Sequence, residues 1–443
     1  MKKILLLGAG RSSYSLIQYL IKLVQQNQWQ LTVGDNSIEA VNAKLKAASN
    51  TSAIAFDVDD IHQREQVIKD SDLVISLLPP PFHYKIAVTC LQFSKHLLTA
   101  SYVSEEINNL DKQAKDKGVL ILMETGLDPG IDHMSAKLEI DRIKEEGGKL
   151  VAFKSYTGGL VAPESDNNPW NYKVTWNPRN VVLAGQGTVK YLEKGAYKFI
   201  PYHHLFTRTE TVYVDGYGSF EGYANRDSLK YISIYGLEGT PSFIRGTLRK
   251  PGFCSAWNVL VQLGLTEDSY EIDNLSSLSY SQFTESFLPE GEGSLRKRIA
   301  DYLNIAPEAE VLDKVEWLGL LEDKKIGLSK GTPANILQKL IEEKWQLGKE
   351  DKDMIVMQHQ YEYELQGKRK KLVSSLVVKG ENSSDTAMAK TVGLPLGIAA
   401  KLILQNKIAL TGVHIPIRKE IYAPILKELA ELGIKFINEE EIL

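Results

Sequence analysis

The stretch "KKILLLGAGRSSYSLIQYLIKLVQ", residues 2–25, decides the fold. It opens as a continuous apolar run of strand length and ends with apolar side chains at helical spacing. Between the two, Gly8-Ala9-Gly10-Arg11-Ser12-Ser13 has the form G-x-G-x-x-small. The first glycine permits a tight turn, and the second lets backbone approach a pyrophosphate. The third position needs only a small residue for helix–strand packing, which Ser13 supplies. The helix that follows offers free N–H groups to a diphosphate. A turn with no ligand would have the same letters, so the neighbours decide. Asp35 ends the next apolar run, "WQLTVGD" (29–35), where a carboxylate can accept both hydroxyls of a dinucleotide ribose.

The alternation continues through "TSAIAFD" (51–57), "SDLVISLLPPP" (71–81), "KHLLTAS" (95–101) and "GVLILME" (118–124), with helical patterns between them. Short continuous runs of this kind predict a parallel sheet covered on both faces. The fold class is therefore α/β: a Rossmann doubly wound sheet of about six strands. After Gly147-Gly148 the texture changes. "KLVAFKSYTGGL" (149–160), "FEGYANRDSLKYISIYG" (220–236) and "TPSFIRGTLRKPGF" (240–253) read as a mixed sheet, and residues 263–350 read as mostly helical. Strand texture returns in "DMIVMQHQYEYELQGKRKKLVSSLVVKG" (353–380), where "QGKR" suggests a hairpin turn. The expected organisation is a dinucleotide-binding domain over 1–130 and 405–443. An α/β substrate domain spans 131–262 and 351–404, with a helical domain, 263–350, inserted in it.

A net charge of −4 gives no reason to expect nucleic acid or an anionic membrane as partner. Cys90 and Cys254 make no disulfide framework, so a cytosolic address is expected. The apolar start is too short for a signal peptide, and no stretch is read as approaching the roughly 18 apolar residues of a membrane span. His203-His204 lacks a third ligand nearby, and no metal is expected.

In an open α/β sheet the ligand lies outside the carboxyl ends of the strands. The residues expected against the cofactor are Gly8, Gly10, Arg11, Ser12, Ser13, Asp35, Asp57, Leu77, Leu78, Pro79, Ala100, Leu127 and Pro129. Asp35 would repel a 2′-phosphate, and Asn36 and Ser37 bring no cation to offset it. NAD is therefore expected over NADP. The last strand runs into "METGLDPGIDH", residues 123–133. One reading is a helix start, with Asp128 as N-cap, Pro129 at the first helical position and Asp132 in the first turn. The other is an active-site loop. His133 is expected to be packed or capping.

Taken together, "LLLGAG", "ISLLP", "TASYVS", "GLDPGIDH", "SYTGGLVAPESDNNPWNYKVTW", "YANRDS" and "IRGTLRKPGF" resemble saccharopine dehydrogenase, L-glutamate-forming, also called saccharopine reductase. The resemblance runs to about Phe253 and implies a Rossmann domain, a mixed substrate domain and an inserted helical domain. It implies oxidation of saccharopine by a nicotinamide cofactor at the carbon beside the bridging amine, then hydrolysis to glutamate and 2-aminoadipate semialdehyde. The implied substrate contacts are Ser101, Tyr102, Asp128, Arg226, Thr247, Leu248 and Arg249, since a substrate with several carboxylates needs forked cations. Asp128 and Tyr102 are the implied catalytic residues, with water as another candidate base. A homodimer is also implied. Two departures stand out. Thr157 replaces a family cysteine, and fungal members carry arginine near the position of Asp35, which suits NADP and reinforces NAD here. The alternatives are a carboxynorspermidine dehydrogenase-like enzyme and a nicotinamide-binding protein without turnover.

Overall fold

The apolar runs of the first third become six strands in the computed structural model, which describes all 443 residues. They are β1 (Lys3–Leu7), β2 (Gln30–Asp35), β3 (Thr51–Ala55), β4 (Leu73–Ser76), β5 (His96–Thr99) and β6 (Leu120–Leu122). A seventh strand from near the end of the chain, Gly412–His414, lies beside β6. From that strand the order runs β6, β5, β4, β1, β2, β3, and every pairing is parallel. The winding reverses between β1 and β4, which places the topological switch beside the glycine loop. The chain divides into two compact units. The first is 1–150 with 363–370 and 376–443, and the second is 151–362 with 371–375.

The strands are apolar because both faces are covered. One face packs Leu5, Leu7, Val74, Leu97 and Ile121 with Ile86 and Leu91 of the helix His83–Gln92. On the other, the helix Ala387–Leu404 lies against α1 (Tyr14–Asn27). A Cβ on Gly393 would stand 2.8 Å from that of Leu16, and one on Gly397 2.5 Å from the ring of Tyr19. Two notches one turn apart thus let the backbones approach. This helix corrects one expectation, because it is 18 residues long and apolar enough to cross a bilayer. Most of it is buried inside the protein, with Lys390 and Lys401 half-buried on one side, as in a core helix rather than a membrane span.

A second sheet runs β10 (Thr209–Val214), β11 (Gly218–Ala224), β12 (Ser242–Arg249) and β7 (Lys149–Val161), then the hairpin Asp353–Leu365 and Lys368–Lys379, while β8 (Val189–Glu193) pairs with β12 and with β9 (Ala196–Ile200). β12 is antiparallel to β11 and parallel to β7, so the sheet is mixed. Gln366 and Gly367 turn the hairpin with φ of 52° and 74°, the two left-handed residues of a type I′ turn. The "LKYISIYG" stretch departs from its strand texture and contains a short helix, Lys230–Ile234. Tyr231 and Tyr235, four apart, are both buried, which is helical spacing. Helices Leu295–Leu303, Glu310–Leu318 and Pro333–Lys344 account for the helical texture of 263–350.

Candidate functional site

The glycine loop is built as its letters require. Gly8 has φ of 102°, and a Cβ there would stand 2.9 Å from the Leu77 backbone. The loop therefore packs on the Leu77–Leu78 segment that follows β4, and only glycine fits. Gly10 would meet nothing within 4 Å, so its surface is open to a ligand. No side chain caps the helix start at Gly10 or at Ser13, which leaves backbone N–H groups free for an anion. Ser13 is buried and its hydroxyl donates to the Gly10 carbonyl at 2.8 Å. This cradle fits a dinucleotide diphosphate.

Asp35 does more than end a strand. The Ala9 N–H donates to its Oδ2 at 2.6 Å, and the Ser37 N–H to its Oδ1 at 3.0 Å. Lys44 donates through Nζ to the carbonyls of Ala9 and Gly10 and to Ser13 Oγ, the last two at 2.6 and 2.9 Å. Burial pulls the Lys44 ammonium down in pKa, and the Asp35 charge opposes that shift. A cation therefore lies in the field of Asp35, and Arg11 is exposed on the same loop. Asp57 is exposed at the end of β3 and holds its own turn, accepting from the Asp59 N–H at 2.9 Å. Pro79 is exposed beyond β4, while Leu127 and Pro129 are buried.

Beyond β5 and β6, Tyr102 and Asp128 meet. The Tyr102 hydroxyl donates to Asp128 Oδ1 at 3.1 Å, and both side chains are half-buried. Asp128 is not an N-cap. The helix begins at Ile131 after Gly130, with no side-chain cap, and Asp132 Oδ1 accepts from the Gly130 N–H at 2.6 Å. Pro129 accordingly precedes the helix. The reason lies in the turn. Gly130 has φ of 147°, and a Cβ there would stand 2.1 Å from the Gly126 carbonyl oxygen. The loop Gly126–Gly130 folds back on itself and detaches Asp128 from the helix. Ala100 packs under it, 2.8 Å from where a Gly126 Cβ would be. Beneath the loop, buried His133 shares a hydrogen bond of 2.8 Å with buried Glu124, whose other oxygen accepts from the Val103 N–H at 3.0 Å. His133 is packed, and Glu124, which sequence reasoning passed over, ties the two loops.

In the second unit Arg249 is 4% exposed. Its guanidinium lies 5.2 Å from the Tyr172 ring centroid and 5.3 Å from that of Phe253. It donates to the Leu248 carbonyl at 2.9 Å, and its Nε has no partner. Glu221 faces it across β11 and β12, yet the Glu221 oxygens accept from the N–H groups of Gly252 and Cys254 at 2.8 and 2.9 Å. Burial pushes Tyr223 up to about 12 and raises the Cys254 thiol well above its usual range, so both stay neutral. Arg249 is thus a buried cation with no carboxylate in contact. Thr247 pairs in register with Thr157, whose buried hydroxyl is also without a partner. Arg226 is exposed, with φ of 49°, just beyond β11.

Residues 4–122 match the family model described as saccharopine dehydrogenase NADP binding domain, and residues 126–434 match the saccharopine dehydrogenase C-terminal domain. The chain belongs to the saccharopine dehydrogenase family. It is 32% identical over its whole length to a Schizosaccharomyces pombe protein named saccharopine dehydrogenase [NADP(+), L-glutamate-forming], covering 99% of that protein. It is 33% identical to mouse mitochondrial alpha-aminoadipic semialdehyde synthase, of whose length it spans 48%. The solved apo saccharopine dehydrogenase (L-Glu forming) of Saccharomyces cerevisiae superposes with a TM-score of 0.90 at 31% identity, covering all of both chains. The chain is an oxidoreductase of this family, with the α/β architecture its sequence implied.

These matches correct the expected cofactor. NAD was favoured because Asp35 had no cation beside it, whereas the family model and the fungal relatives carry NADP in their names. The physical reason is that the expectation weighed only adjacent residues. Both Asp35 oxygens are engaged by backbone N–H groups, and Lys44 on the following helix supplies the missing positive charge.

Proposed function

We propose that this chain oxidises the CH–NH bond of saccharopine with NADP, reversibly, giving glutamate and 2-aminoadipate 6-semialdehyde. The observation that carries the reading is Arg249, a buried guanidinium with no carboxylate partner of its own. A buried unpaired charge is costly, and a substrate with three carboxylates relieves it. The exposed Arg226 takes a second carboxylate. Thr247 and the Leu248 backbone border Arg249, and Ser101 is a further polar contact.

The nicotinamide, when bound, accepts the hydride. The loop Gly8–Ser13 holds the diphosphate, and Lys44 and Arg11 provide positive charge for a 2′-phosphate. Asp57, Leu77, Leu78, Pro79, Ala100, Leu127 and Pro129 line the cofactor. Asp128 holds the positive charge of the bridging amine and accepts its proton before oxidation, with Tyr102 fixing the carboxylate by hydrogen bond. Once the carbon–nitrogen double bond has formed, water adds to its carbon and releases one proton to solvent. The same carboxyl returns its proton to nitrogen, and as the carbon–nitrogen bond breaks the new hydroxyl yields its proton and becomes the aldehyde carbonyl.

Reduced-nicotinamide formation tests this with saccharopine, carboxynorspermidine and no added substrate, each with NADP and NAD. Saccharopine with NADP is expected to give the highest kcat/KM. A higher value with NAD would overturn the cofactor assignment, and turnover of carboxynorspermidine alone would overturn the substrate. Arg226→Ala is expected to raise the KM for saccharopine several-fold, on the order of 1 kcal/mol for a solvent-exposed pair, and to leave NADPH affinity intact. An unchanged KM would remove Arg226 from the site.

A further inference from the structure

The "PPPFH" segment after β4 ends in a histidine that the proposed reaction does not use. His83 is 2% exposed and opens the helix His83–Gln92. Its ring joins two strand ends. Nδ1 lies 3.0 Å from Oγ of Ser76, the last residue of β4, and Nε2 lies 2.7 Å from Oγ of Ser101, just past β5. Thr99 Oγ1 is farther, 3.4 Å from Nε2, and accepts from the Ser101 N–H at 3.3 Å. We propose that His83 is a positioning residue that fixes the Ser101 hydroxyl as a hydrogen-bond donor toward an anionic group of the substrate. The inference rests on the reading of Ser101 as a substrate contact.

Burial pushes His83 down to about 4, so near neutral pH the ring carries one N–H. If that proton is on Nδ1, the Ser101 hydroxyl donates to Nε2 and turns only lone pairs to a ligand. If it is on Nε2, the ring donates to Ser101 Oγ, and the Ser101 hydrogen points outward. Ser76 then donates to Nδ1. A hydroxyl has one hydrogen and two lone pairs, so each arrangement satisfies the chain, and they differ only in what Ser101 offers. A carboxylate accepts only. Its binding selects the second arrangement, and the buried Ser76 supports it from behind.

A double-mutant cycle tests this on the full chain. A glutamine amide can occupy the place of Nε2, and an asparagine amide the place of Nδ1. H83N is expected to raise the KM for saccharopine about 10-fold, the size of one hydrogen bond to a charged group, with NADPH affinity unchanged. H83Q keeps a donor to Ser101 and should restore most of that loss. In an S101A background H83N should add nothing, because its only route to the substrate is gone. S76A removes a group that suits either arrangement, so it should leave the KM within about 2-fold of wild type; if H83N does not fold, H83M, which fills the space without a donor, takes its place and should raise the KM about 10-fold. Three results overturn the proposal and leave Ser101 in the site: H83N or H83M losing as much in the S101A background as alone, either of them keeping the wild-type KM, or S76A raising the KM as much as they do. An unchanged KM in S101A itself overturns the reading of Ser101, and the proposal with it.

Discussion

Arg249→Met is expected to raise the KM for saccharopine by about 10²-fold or more, on the order of 2–5 kcal/mol for one half of a buried charge pair. Thermal stability should hold or rise. The two halves of that expectation follow from one fact. In the free protein the guanidinium has ring faces and one carbonyl for company, and no carboxylate. Methionine fills much of the same volume without a charge to bury, so the free state loses little. The bound state loses the only cation that matches a substrate carboxylate at that position. Arg249→Lys should also be impaired, since an ammonium cannot present two parallel donors. Steady-state kinetics and thermal melts on both variants check this. A lowered melting temperature with an unchanged KM would make Arg249 a structural residue.

Asp128→Asn should lower kcat/KM about 10²-fold, the usual size of a lost acid–base group, with the melting temperature unchanged. The structure makes this change a clean removal of charge. Asp128 does not cap the helix that follows it, so no cap is lost. Asparagine still presents an oxygen to the Tyr102 hydroxyl, so the 3.1 Å bond can persist. What disappears is the negative charge beside the amine and the capacity to take its proton. Melting temperature, NADPH binding and turnover on the one variant are sufficient. Near-wild-type turnover would leave water or Tyr102 to move the proton.

The parallel sheet was legible because its central strands, β1, β4, β5 and β6, are buried on both faces, so each appears as a short apolar run between helices. The glycine loop was legible because its geometry admits few residue types. Three failures share a cause. Asp128 has the letters of an N-cap, but a turn closed by Gly130 intervenes, and that turn depends on contact with Gly126. Asp35 looks uncompensated until the helix Ile38–Leu45 brings Lys44 to the glycine loop. The helix Ala387–Leu404 went unread because only Lys390 and Lys401 mark its half-exposed side, and the helix that buries much of the rest, α1, is far away along the chain. In each case the deciding neighbour is supplied by folding rather than by adjacency. Arg249 is the same case in reverse. Its family position was readable, but its lack of a carboxylate partner depends on Glu221 turning to backbone N–H groups instead.

The two glycine notches on the helix Ala387–Leu404 bear on how the chain is made. They receive Leu16 and Tyr19 of α1, the helix whose start forms the diphosphate cradle. The strand Gly412–His414 completes the same sheet. A ribosome therefore releases α1 some 370 residues before the helix it packs on. Until that helix emerges, the nascent first unit shows water an apolar groove where it will lie. Contacts so distant along the chain slow folding and prolong exposure to aggregation. Dinucleotide affinity should accordingly appear late, after the C-terminal segment docks, and holdase chaperones have a defined patch to cover until then.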